Sequence, residues 1–95
     1  MRRVVITGMG AVTPYGRGVS ALVQGLLEGR SAVRQMPELA EIGGLRTRVA
    51  ATVEHVDGKE IARKFRRSMS AMSIFATLAA QEALTQAGVS RDRWT

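Results

Sequence analysis

The chain has no cysteine. That excludes disulfide cross-links, thiolate metal ligands and a cysteine nucleophile within its 95 residues. It has a single histidine, His55, so the paired imidazoles of many acid–base and metal sites are excluded too. Aromatic residues make up only 4%, which leaves any core to Val, Leu, Ile, Ala and Met. No run of roughly 18 apolar residues is present to span a bilayer. As the core of a secretory signal, Val4 to Val12 behind Arg2-Arg3 is broken by Gly8 and Gly10, and Thr13-Pro14-Tyr15 offers no small-x-small cleavage site. A soluble, cytoplasmic protein is therefore expected. Acidic residues are the scarcer charge, 8 against 14 basic, giving a net charge of +6. Such an excess favours acidic partners: nucleic acid, an acidic protein or anionic lipid.

What is present suits one domain over residues 1–95 without an internal boundary. A hydrophobic content of 45% argues against disorder. The chain is organised around its beginning, where Val4-Val5-Ile6 is an unbroken β-branched run followed by Thr7 and Gly8. Continuous apolar runs of this kind are read in strands covered on both faces, whose partners must come from elsewhere. A strand is expected over about residues 3–12. Gly8-x-Gly10 admits two readings, close backbone packing or a dinucleotide loop. The phosphate fingerprint needs a third glycine where Thr13 stands and a helix where Pro14 stands. Nor does an acidic residue end a second strand about 20 residues on. The glycines are read as structural, and no cofactor is expected.

After the turn at Pro14 and Gly16, Val19, Leu22, Val23, Leu26 and Leu27 line one helical face, predicting a helix over about 18–28 that stops at Gly29. Residues 31–44 lack periodicity and read as a loop. Glu38 and Glu41 within it have no third oxygen ligand patterned nearby, and no metal site is expected. A peripheral strand is expected over 46–54 and a long helix over 71–87, capped by a hydroxyl before it and by Gly88 after it. That helix is apolar nearly all round in its first half, so it should be buried on most sides, with Gln81, Glu82, Thr85 and Gln86 bringing its last turns to the surface. His55 follows the second strand with no nucleophile at recognisable spacing, and reads as a surface or structural histidine.

The run from Val4 to Gly16, with its basic pair in front, resembles the amino-terminal strand of the β-ketoacyl-acyl carrier protein synthases. These are the condensing enzymes of fatty-acid and polyketide synthesis, with a thiolase-type fold. The resemblance continues through Leu27-Glu28-Gly29-Arg30-Ser31, through Arg63-Lys64 to Met69, and along Gln81-Glu82-Ala83-Leu84-Thr85-Gln86-Ala87-Gly88. It covers essentially the whole chain, and only the first segment of such an enzyme. It implies an α/β fold class: the strand-helix-strand-helix start of a thiolase-type layered fold, incomplete by itself. It also implies a parent acyltransferase that condenses an acyl thioester with malonyl-carrier protein, and a homodimer. The family's cysteine and histidines lie further along, so no catalytic residue is carried over and the chain alone is expected to be inactive.

One feature does carry over. Lys59 to Arg67 holds five basic residues and one acidic. In the family the corresponding segment helps form a positive patch that docks the acidic acyl carrier protein. By position Arg63, Lys64 and Arg67 match that patch, and Arg66 adds to it. Two other readings stand beside this one. One is a solvated charge run; the other is a small basic nucleic-acid-binding or scaffold module drawing also on Arg46, Arg48, Arg91 and Arg93. Against nucleic acid, no recognition-helix pattern or zinc spacing is present, and Phe65 is the only aromatic within the cluster.

Overall fold

The structure is a computed structural model that describes residues 2–54, 56 and 58–89. Pro14 and Tyr15 turn the chain between two short strands, β1 (Val12–Thr13) and β2 (Gly16–Arg17), which pair antiparallel. Thr13 fixes the turn, its hydroxyl oxygen accepting from the Tyr15 N–H at 3.2 Å. Helix α1 (Val19–Leu27) follows, as the apolar spacing requires. The expected strand over 3–12 is realised as a ladder only at its end. Residues 2–8 have no backbone hydrogen bond among the described residues, and a strand is defined by its neighbours.

The segment 31–44, expected to be a loop, contains strand β3 (Arg34–Gln35) and a 3₁₀ turn over Pro37–Glu41. Strand β4 (Val49–Ala50) pairs antiparallel with β3, Arg34 opposite Ala50. This is the peripheral strand expected over 46–54, shortened to two residues. Arg34 anchors it from across the ladder, its guanidinium donating to the Thr52 hydroxyl at 2.7 Å and pairing with Glu54. Periodicity could not show β3, because two exposed residues make no pattern.

A four-residue helix, α2 (Arg63–Arg66), leads into α3 (Ala71–Ala87). The latter has the expected bounds for the expected reasons. Ser70 Oγ accepts from the Ser73 N–H at 3.3 Å, and Gly88 closes the helix in the left-handed region at φ 74°. Its burial is another matter. Among the described residues Leu78 and Ile61 are the only large apolar side chains that are buried, while Met72 is 77% exposed. The expectation of a helix buried on most sides is not met within this chain, because the chain supplies too few elements to surround it. The radius of gyration is 17.0 Å, against about 12–13 Å for a compact domain of this length. The accessible surface is 7895 Å², against roughly 5,400 Å² for a folded monomer of this mass.

What packing there is rests on small residues. Gly8 and Gly10 lie against the backbone of α3: a Cβ on Gly8 would fall on the Ala83 carbonyl oxygen, and one on Gly10 on the Ala79 carbonyl oxygen. Two residues of extended chain advance about 6.6 Å and four residues of helix about 6 Å, so glycines two apart meet alanines four apart. Close packing against a helix backbone accounts for these glycines.

A second contact of this kind sits in α1, where the buried Gly25 faces the Tyr15 ring. The Tyr15 hydroxyl donates to the Arg30 carbonyl at 2.5 Å, and the Arg30 guanidinium lies over the ring at 5.5 Å. In an ordinary helix interior Gly→Ala gains about 1 kcal/mol. Here the new Cβ would stand 2.6 Å from Tyr15 Cγ. We expect Gly25→Ala to lower stability by about 1–3 kcal/mol. A urea titration checks this, and the loss should shrink in a Tyr15→Ala background. A stabilising Gly25→Ala would show that the ring does not occupy this place.

Candidate functional site

The basic cluster is built on α2. Ala62 starts the helix, its carbonyl accepting from the N–H groups of Phe65 and Arg66, both at 3.0 Å. The chain leaves α2 through Arg67, whose N–H donates to the Arg63 carbonyl at 3.1 Å, and enters α3 at Ser70. Arg63, Arg66 and Arg67 are spaced i, i+3 and i+4 and share a face, with Lys64 one residue round. Arg63, Lys64 and Arg67 are exposed, and Arg66 is half-buried with its Cδ against Gly58. The Lys64 ammonium lies 5.0 Å from the centre of the Phe65 ring. The structure thus brings together all four cations named from the sequence.

No carboxylate among the described residues pairs with any of the four. The neighbouring Glu60 is taken by Arg17 in a bidentate pair, with Nη1 donating to Oε1 at 3.0 Å. Four like charges on one turn repel each other, and folding alone gives no reason to gather them there. Position on the helix offsets part of that. Arg66, the last residue of α2, lies at the carboxyl end, which favours a cation. A groove of about 720 Å³ runs between α2 and α3, lined by the apolar Ile61, Phe65, Met69, Leu84 and Val89 and by the polar Glu60, Thr77, Gln81 and Thr85.

Glu82 is the residue whose role the sequence concealed. Expected at the surface, it is half-buried and joins three elements. Oε1 accepts from the Ala11 N–H at 2.9 Å, and Oε2 accepts from the Val19 N–H at 3.0 Å. Gly18, which precedes α1, has no side chain to cap that helix, and the carboxylate of α3 does so instead. One turn on, Gln86 Oε1 accepts from the Met9 N–H at 2.6 Å. The Val19 and Ala11 donors, helped by the charge of Arg17, hold the Glu82 carboxyl below its ordinary range against the opposing effect of burial. A signal was present: Glu82 and Gln86 are four apart, beside the Ala79-Ala83-Ala87 stripe of the same helix.

His55, Arg91 and Arg93 lie outside the described residues. Arg46 and Arg48 are exposed before β4, and α2 is too short to serve as a recognition helix. Glu38 and Glu41 are exposed on the 3₁₀ turn, and among the described residues no three acidic or imidazole side chains converge.

A family model described as β-ketoacyl synthase, N-terminal domain, matches residues 1–94. The chain belongs to the β-ketoacyl synthase family. Nodulation protein E of Rhizobium meliloti (strain 1021) is 40% identical over 89 residues, covering 94% of this chain and 22% of that protein. The 3-oxoacyl-[acyl-carrier-protein] synthase 1 of Escherichia coli K12 is 36% identical over 94 residues, covering 99% and 23%. The crystal structure of a β-ketoacyl synthase from Burkholderia phymatum STM815 superposes with a TM-score of 0.84 at 40% identity, covering 99% of this chain and 23% of that one. The fold is therefore part of the thiolase-type architecture, and the chain spans under a quarter of the length of these relatives. That share explains why the apolar first half of α3 keeps an exposed side, Met72 included.

Proposed function

We propose that this segment belongs to a β-ketoacyl-acyl carrier protein synthase, an acyltransferase that condenses an acyl thioester with malonyl-carrier protein with loss of carbon dioxide. Within it, Arg63, Lys64, Arg66 and Arg67 form a landing surface for the acidic carrier protein. The observation that carries the surface is three cations in one short helix and a fourth, Arg67, just after it, with no carboxylate partner among the described residues. Clustered cations raise the encounter rate with an anionic partner and orient it, which is what an enzyme fed by a carrier requires. Supporting the activity is family membership, together with the E. coli relative, whose name carries that same reaction class.

The division of labour follows from composition. Acyl transfer through a covalent intermediate needs a thiolate and donors aimed at the thioester oxygen. With no cysteine in the chain, the thiol must come from elsewhere in the whole enzyme, and the 95 residues contribute docking and scaffold. On this reading they form one part of a single domain, are inactive alone, and work in a cytoplasmic homodimer.

In the whole enzyme, Arg63→Glu with Lys64→Glu should lower kcat/KM for carrier-borne substrate by about tenfold or more at low salt, mainly through the association rate. The defect should narrow as salt shortens the screening length from about 10 Å at 0.1 M to about 3 Å at 1 M. Turnover of a carrier-free thioester should be unchanged. Carrier kinetics that ignore the charge reversal at low salt would reduce the cluster to solvated surface.

A further inference from the structure

We infer that Arg17 is a positioning residue for the cationic surface on α2: its guanidinium holds the Glu60 carboxylate, which would otherwise neutralise Arg63 or Lys64. The inference rests on the carrier-docking reading proposed above and deepens it.

Glu60 is the only acidic residue from Gly58 to Gln81, and it stands three residues before Arg63 and four before Lys64. Acidic and basic side chains at such spacings are the ones that pair along a helix. Glu60 lies just ahead of Ala62, the cap of α2, so at most about 10 Å of chain separates it from Arg63. Two long side chains close such a gap. Yet neither Arg63 nor Lys64 is in an ion pair among the described residues. Both oxygens of Glu60 are turned instead to Arg17 on β2, with Nη1 donating to Oε1 at 3.0 Å and Nη2 donating to Oε2.

Folding gives little reason for this clamp. The Arg17 and Glu60 side chains are 45% and 60% exposed, and an ion pair so open to water adds little to stability. Arg17 also faces Glu82, but the Val19 and Ala11 N–H groups act on that carboxyl ahead of it. What the clamp changes is the position of one negative charge. The planar fork of an arginine fixes a carboxylate through two bonds, and a fixed carboxylate does not swing to a neighbouring cation. Lys64, meanwhile, rests at 5.0 Å from the centre of the Phe65 ring, a contact that leaves its charge intact. Steering follows the summed charge facing the partner, so a carboxylate released among four cations would cancel one of them.

The test measures association of acyl-loaded carrier protein by stopped flow, at low and high salt, with the whole enzyme carrying this segment. Arg17→Gln should slow association about two- to fivefold at low salt, one cation's share of a steering factor on the order of 10–10³. The defect should fade by about 1 M salt. Glu60→Gln alone should not slow association, and in a Glu60→Gln background Arg17→Gln should lose most of its effect. Arg46→Gln is the control for net charge: it removes the same charge from an exposed residue that is in no ion pair among the described residues, and should slow association less than Arg17→Gln. The inference is overturned if Glu60→Gln slows association as much as Arg17→Gln, which would make the pair a structural staple. It is overturned equally if Arg17→Gln and Arg46→Gln are alike, which would leave net charge alone. Arg63→Glu with Lys64→Glu judges the docking reading separately. If that enzyme is slow and Arg17→Gln is not, the landing surface stands and this inference falls; if that enzyme associates at the native rate, both fall.

Discussion

Gly10→Ala should cost more stability than a methyl group added almost anywhere else in this chain. The new Cβ would land on the Ala79 carbonyl oxygen and stand 2.7 Å from its carbon. Those are backbone atoms of α3, which cannot rotate away as a side chain would. Overpacking typically costs about 1–3 kcal/mol and occasionally more, and a clash with a helix backbone belongs at the upper end, about 3 kcal/mol. Gly8→Ala should follow closely, its Cβ meeting the Ala83 carbonyl oxygen and lying 2.9 Å from the Ala87 nitrogen. Gly43 provides the comparison, since nothing lies within 4 Å of a Cβ built there. Gly43→Ala should stay within about 0.5 kcal/mol. Urea midpoints and soluble yield measure all three, and coincident midpoints for the Gly10 and Gly43 variants would remove the close contact from the account.

Glu82→Gln should be the most damaging near-isosteric polar change. The carboxylate accepts from two backbone donors with two oxygens, whereas an amide offers one oxygen and turns an NH₂ toward the other donor. The expected loss is about 1–3 kcal/mol, the scale of a hydrogen bond to a charged group. Its dependence on pH has a definite sign. The folded state holds this carboxyl below its ordinary range, through the Val19 and Ala11 donors first and the Arg17 charge after them. Its contribution is therefore complete above the unfolded value of about 4.3. It disappears as pH falls from there through the lower folded value. Urea midpoints taken between about pH 3 and 6 should fall toward acid more steeply for the native chain than for Glu82→Gln. Parallel curves would mean that Glu82 does not staple these elements.

Much of the layout was legible because local chemistry decided it. Ser70, the alanine-rich run and Gly88 define α3 in the sequence as in the structure, since a cap, a propensity and a left-handed stop need no tertiary partner. The basic cluster was legible for the same reason: Arg63, Lys64, Arg66 and Arg67 are consecutive or nearly so, and one turn of helix gathers them. Glu82 was not. Its partners are 63 and 71 residues away, and on a helical wheel it is one more polar residue on a surfaced turn. Strand β3 was missed because Arg34 and Gln35 carry no alternation, and Tyr15 against Gly25 because a glycine in a helix reads as a weakness until a ring is seen beside it. The expected strand over 3–12 and the expected burial of α3 show the opposite error. In both cases the pattern described an environment that these 95 residues do not themselves provide.

The contact between the first glycines and α3 also sets an order of events during synthesis. Ala11 leaves the ribosome 71 residues ahead of the Glu82 carboxylate that will hold it. At about 5–20 residues per second, that is roughly 4–14 seconds in which Val4, Val5 and Ile6 have been made and their anchor has not. α1 and the β3–β4 ladder are completed first, and among the described residues neither touches the run through a hydrogen bond. The run is thus made well before the residues that hold the chain beside it. Through that interval the aliphatic side chains of Val4, Val5 and Ile6 stay open to the solvent, as they are at 95%, 67% and 80% exposure in the folded segment.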